Sequence, residues 1–136
     1  TKSAWGFGGG ESENHKVLKE YVARNPKAIG LSSNTQAGVT EYPLPSGDSL
    51  DVSFNGKALW VAAEVKSAIS AEADIVRGLF QCVKYRAVME AVLLTEARPQ
   101  NARALLVLES TFPQSLIPLR NILGVEVVEG ITPKNG

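Results

Sequence analysis

The period of the hydrophobic positions changes several times along the chain, and each change predicts an element. Between Ser12 and Pro26, Val17, Leu18, Tyr21 and Val22 recur at helical spacing, with Ser12 placed to cap the helix and Pro26 to stop it. Residues 38–44 (GVTEYPL) then read as a strand closed by Pro43, Pro45 and Gly47. Residues 48–54 and 58–66 alternate strictly. Leu50, Val52 and Phe54 are expected on one face of the first, with Ser49, Asp51 and Ser53 on the other. On the second, Leu59, Val61, Ala63 and Val65 share a face opposite Trp60, Ala62, Glu64 and Lys66. Asn55-Gly56 marks the hairpin between them. A long helix is expected after Ser70, with Val76, Leu79, Phe80, Val83 and Ala87 as its buried stripe and Cys82 off the stripe's centre. Residues 102–109 form a nearly continuous apolar run, the pattern of a strand buried on both faces. A short, proline-interrupted helix over 112–124 and a last strand over 125–129 complete the order.

Helix, three strands, long helix, strand, short helix, strand describes a mixed α/β domain with helices on both faces of its sheet. At 136 residues the chain is the size of one domain, expected over 13–136, behind a glycine-rich lead-in over 1–12 whose Trp5 and Phe7 dock on the body or a partner. The three consecutive glycines of that lead-in follow no strand and precede no Gly-Lys-Ser/Thr, which excludes a phosphate-cradling loop. The start at Thr1 is the expectation for a processed protein or a piece of a longer one. No run is apolar enough to span a membrane, and no signal peptide is visible. One cysteine, Cys82, makes no internal disulfide, which points to an intracellular, reducing compartment. Basic and acidic residues balance at 14 each, so any nucleic-acid affinity must come from a local patch.

The strand charges are the chemically informative feature. Asp51 and Glu64 fall on the polar faces of one hairpin, and Lys66 follows Glu64 by two residues on the same face. Two carboxylates beside a backbone carbonyl make a hard-oxygen site suited to Mg²⁺, and a lysine next to it can orient a water or stabilise charge on a phosphate. The register decides whether the acids meet. A two-residue Asn55-Gly56 turn would set Asp51 opposite Trp60 and leave Glu64 about 13 Å further along, at ~3.3 Å per residue. A loop of roughly four residues, around 56–59, is therefore predicted. His15, the single histidine, reads as a surface or packing residue.

Asp, a spacer and Glu-x-Lys on consecutive strands, as in SGDSLDVSF…VAAEVKS, resemble the signature of the PD-(D/E)xK nucleases, whose restriction-endonuclease-like core is α-β-β-β-α-β. Leu50 stands where the motif's name has proline. Gln81 and Tyr85 match the Q-x-x-x-Y pattern of the exonuclease-like branches. The resemblance implies a Mg²⁺-dependent deoxyribonuclease, with Mn²⁺ substituting, in which Asp51, Glu64 and the Val65 carbonyl bind metal. It further implies that Lys66 positions the attacking water and that Gln81 holds Lys66 or a phosphate. Glu13 at the start of the first helix is the candidate further ligand, with Glu20 as its substitute and Glu41 a weaker one. Arg77, Lys84 and Tyr85, placed with Gln81 on one helical stripe, are the candidate DNA contacts. DNA is the implied partner, with a homo-oligomer or other domains of a longer chain completing the grip. The alternative is a binding or regulatory module on the same fold without turnover.

Overall fold

Ser12 starts the first helix as its sequence suggests. Its hydroxyl accepts the His15 N–H at 3.1 Å, pairing one of the donors that a helix start leaves free. Helix α1 runs Glu13–Arg24. Pro26 then opens a 3-10 turn over Pro26–Ile29, which closes on Gly30 at φ 86°. The computed structural model describes residues 12–134; the glycine-rich lead-in with Trp5 and Phe7 lies outside them.

The strands form one sheet in chain order: β1 Val39–Pro43, β2 Ser49–Asn55, β3 Leu59–Lys66, β4 Asn101–Leu108 and β5 Glu126–Val128. The first three are antiparallel, and β4 and β5 add in parallel. Parallel neighbours need a crossover between them. Helix α2 (Glu72–Thr95) carries the chain from β3 to β4, and a 3-10 turn followed by α3 (Ile117–Leu123) carries it from β4 to β5. Among the described residues no helix is long and apolar enough to cross a membrane.

Two apolar clusters cover the two faces of the sheet. Leu18 and Val22 of α1 pack with Val52, Phe54, Val61, Ala63 and Val65. Leu79, Cys82 and Met89 of α2 pack with Trp60, Ala62 and Leu106 on the other face. Strand β4 serves both, with Leu105 and Val107 on the α1 side and Leu106 and Leu108 on the α2 side, as its unbroken apolar run requires.

Three details of the sequence reading change. Leu50 packs in the α2 cluster while Val52 and Phe54 pack in the α1 cluster, so β2 turns over at Asp51 instead of keeping one face. Helix α2 is capped at Ala71, not at Ser70. Alanine offers no side-chain acceptor, and the Asp74 carboxylate reaches back to accept the Ala71 N–H at 3.3 Å.

The third change is the buried face of α2, which consists of Ile75, Gly78, Leu79, Cys82, Tyr85, Met89 and Leu93. Phe80 and Val83 face solvent, and Cys82 sits within the buried row. Gly78 marks the point of closest approach. A Cβ there would lie 2.8 Å from Leu106 Cδ1, so the bare glycine lets this row of the helix settle against the sheet. Leu79→Ala is therefore expected to cost about 2–5 kcal/mol in denaturant unfolding. Val83→Ala, measured at low protein concentration, should stay within about 0.5 kcal/mol of wild type.

Candidate active site

The site lies where the β2–β3 ladder stops. Asn55 pairs with Trp60 and Val52 with Ala63, so four residues, 56–59, lie between the last paired positions of β2 and β3, and the Gly56 N–H donates to the Leu59 carbonyl at 2.9 Å. One register step further, Asp51 falls beside Glu64. There the Val65 N–H donates to Asp51 Oδ2 at 3.0 Å. A carboxylate takes the place of a backbone acceptor, and the two strands fork. On the other side of β2, Thr40–Val52 and Tyr42–Leu50 pair while Glu41 between them adopts φ 54°. That left-handed conformation costs a non-glycine residue roughly 1–2 kcal/mol. Glu41 holds it while its carboxylate accepts a bond from the buried Lys19 of α1.

Asp51 and Glu64 are held in opposite states. Burial pushes the Asp51 carboxyl up, but the bond from His15, the Val65 N–H and the charges of His15 and Lys19 together hold it below the usual carboxylate range. His15 Nε2 lies 3.5 Å from Asp51 Oδ2. Glu64 is buried first of all, then faces the Asp51 charge and a bond to Asp51, and these push it up to about 8 against the opposing effect of Lys66 and His15. At neutral pH the pair thus shares one proton, held mainly on Glu64. Lys66 Nζ stands 3.6 Å from Glu64 Oε2, a contact of ammonium with a largely neutral acid until that proton leaves.

Helix α2 closes the site from the other side. A Cβ on Gly78 would meet Lys66 Cε at 3.1 Å and Glu64 Cγ at 3.9 Å, so the bare glycine makes room for both side chains. One turn on, Gln81 Oε1 is buried and has no hydrogen-bond partner among the described residues. A buried unpaired amide oxygen is costly. Tyr85 belongs to the apolar cluster, and burial, followed by the Glu64 and Asp51 charges, raises its hydroxyl well above normal. Its burial separates it from Arg77 and Lys84, the exposed residues with which the sequence grouped it. Arg77 pairs with Asp74 at 2.6 Å and Lys84 with Asp48 at 3.1 Å. Burial raises the Cys82 thiol as well, followed by the Glu64 charge, which makes it a poor nucleophile.

On α1, His15 and Lys19 are one turn apart and face the fork. Glu13 is exposed, and helical geometry sets both it and Glu20 on other sides of α1 from His15. Among the described residues no group of three or more His, Cys, Asp and Glu side chains is arranged to hold a metal. What converges is a carboxylate pair, a donor set suited to a hard cation that keeps waters of its own.

No family model matches the chain, and no curated protein matches it. Among solved structures it is similar to that of an EndoMS–dsDNA2 complex, with a TM-score of 0.61 and 20% identity over 93% of this chain. The fold is restriction-endonuclease-like. The chain covers 48% of the EndoMS chain, about half its length.

Three residues at the site escape the sequence reading. His15 and Lys19 reach it because α1 packs over the fork, a contact between elements distant in the chain. Gly78 did leave a signal, since glycine inside a helix costs about 1 kcal/mol and needs a packing reason.

The raised Glu64 carboxyl makes a pH-dependent prediction for the metal-free protein. The folded chain binds this proton more tightly than the unfolded chain, whose glutamate titrates near 4.5. Stability contributed by the proton is full below pH 4.5 and is lost as pH rises through about 8. Glu64→Gln removes the titration. Its stability relative to wild type should therefore climb between those pH values, by on the order of 1–3 kcal/mol. Melting curves in EDTA across that range test it; a pH-independent difference would contradict the shared proton.

Proposed function

We propose that this chain is a divalent-metal-dependent nuclease domain of the PD-(D/E)xK kind, hydrolysing phosphodiester bonds in DNA. The observation that carries the reading is the meeting of Asp51 and Glu64 at the strand fork, with Lys66 on Glu64 and the Val65 backbone held by Asp51. The fold neighbour is a complex with double-stranded DNA, which supports DNA as the substrate class.

A buried Glu64 sharing a proton with the partly buried Asp51 fits a cation site, because a dication offsets both the burial and the Asp51 charge that keep Glu64 protonated. Asp51, Glu64 and the Val65 carbonyl would hold Mg²⁺, or Mn²⁺ in its place. When bound, the metal supplies Lewis-acid stabilisation and a more acidic water. The remaining work belongs to the side chains. His15 and the Val65 N–H keep Asp51 ionised and oriented, and Glu64 releases its proton to become a ligand. The Lys66 ammonium, beside Glu64, orients the attacking water and balances charge on the phosphate. The unpaired Gln81 oxygen provides an acceptor that steadies Lys66 or the water. Arg77 and Lys84, exposed along the same flank of α2, exchange their intramolecular acids for DNA phosphates. Tyr85 contributes by packing.

Asp51→Asn and Glu64→Gln are expected to abolish Mg²⁺ and Mn²⁺ binding in calorimetric titration, together with cleavage of linear, circular and branched DNA. Lys66→Ala should keep measurable metal binding yet lose turnover by on the order of 10²-fold or more. A wild-type chain that bound neither cation and cut none of these substrates would overturn the reading; binding of DNA without cleavage would favour a module that has kept the fold alone. Separately, the Arg77→Ala/Lys84→Ala double variant should flatten the dependence of log K for DNA on log salt by roughly 2, near 0.9 for each phosphate no longer neutralised.

A further inference from the structure

Helix α2 carries a second apolar row opposite its buried one. Phe80 is 51% exposed, Val83 40% and Leu94 85%, and Ala87 and Ala91 are exposed between them. At about 100° per residue all five lie within about 40° of Ala87, a single stripe about 21 Å long at ~1.5 Å per residue. The row is symmetric about Ala87: Val83 and Ala91 stand four residues to either side, Phe80 and Leu94 seven. Such a pattern matches itself when the helix is reversed. We propose that this face binds a second copy of the chain, with the two α2 helices packed antiparallel about a twofold axis at Ala87.

The symmetry assigns the contacts. Ala87 meets its own mate, Val83 meets the partner's Ala91, and Phe80 meets the partner's Leu94, as an isologous interface demands. Alanine at the crossing lets the helices approach to about 8 Å. The flanks agree. In an antiparallel pair each flank faces the same flank of the other helix. One flank carries Arg86 and Glu90, 3.2 Å apart within the chain. Across the seam Arg86 comes beside the partner's Glu90 and Glu90 beside the partner's Arg86, an alternating four-charge network. On that flank a recess of about 300 Å³ opens between Val83, Ala87, Leu123 and Gly124, and Ile122 of α3 is 81% exposed. One helix pair alone falls short of the ~1,000 Å² of a stable interface, so the dimer is a weak one to which α3 adds area. The other flank, with Gln81 and Lys84, is shared as well, so both carboxylate pairs open to one side of the dimer. The pairing rests on the helix face and is independent of nuclease activity.

Sedimentation equilibrium of the whole chain from about 1 to 300 µM should show a reversible monomer–dimer equilibrium. Glu90→Arg should weaken it at least tenfold by setting arginines against each other, and adding Arg86→Glu should restore it. Under mild oxidation Ala87→Cys should give a disulfide-linked dimer, because only that position meets its own mate, whereas Leu94→Cys should not; the buried Cys82 is out of reach. Circular dichroism of each variant checks that the fold is intact. A chain monomeric at every concentration would overturn the proposal, as would equal cross-linking at 87 and 94 or a dimer indifferent to Glu90→Arg.

Discussion

A single hydrogen bond organises the centre of this molecule: the Val65 N–H donates to the Asp51 side chain where the ladder would offer a backbone carbonyl. Regular antiparallel pairing runs from the 56–59 loop as far as Val52 and Ala63 and ends there. Because a side chain is longer than a carbonyl, the strands part at that point, and β2 turns its next residue, Leu50, to the opposite cluster. The fork creates a polar notch inside a sheet whose faces are otherwise covered. Everything proposed about activity depends on that notch, since an unbroken ladder would leave Asp51 and Glu64 as ordinary neighbours on a strand face.

Opening a notch next to two apolar clusters obliges the surrounding elements to manage charge in a low-dielectric setting. Helix α1 gives Asp51 a bond from His15 and the nearby charge of Lys19, and Lys19 also bonds to Glu41, which holds a left-handed conformation. Helix α2 supplies mainly space, through Gly78, and at Gln81 an amide oxygen without a hydrogen-bond partner among the described residues. The result is an arrangement poor for stability in isolation: a carboxyl titrating near 8, a strained backbone residue and an unpaired acceptor within one small region. Such concentrations of unfavourable terms cluster at functional sites, which supports the reading proposed for this one.

The long helix shows how one sequence can carry two messages. Its 24 residues hold two apolar rows, one that includes Gly78 and one with Phe80, Val83, Ala87, Ala91 and Leu94. Periodicity reports both equally. Closeness of approach to Leu106 selects the first for the sheet, and the second is left with a symmetry that an antiparallel copy of itself would match.

Element order, strand bounds to within a residue or two, the buried character of β4 and the Asp51–Glu64–Lys66 constellation were all legible in the sequence. Each rests on local rules: the alternation of a pleated strand, the period of a helix, and the turn chemistry of proline and glycine. The four-residue loop was legible too, from the requirement that two acids meet. What the sequence could not decide involves contacts between distant segments. Which face of α2 is buried, that β2 turns over at Asp51, and that His15 and Lys19 join the site from α1 depend on how helices settle on a sheet. That settling is governed by side-chain volume at the points of closest approach, Gly78 against Leu106 and Lys66 foremost, and by the need to pair buried charge across elements. Local pattern fixes what each segment can be; packing in three dimensions alone determines which of its faces meets which neighbour.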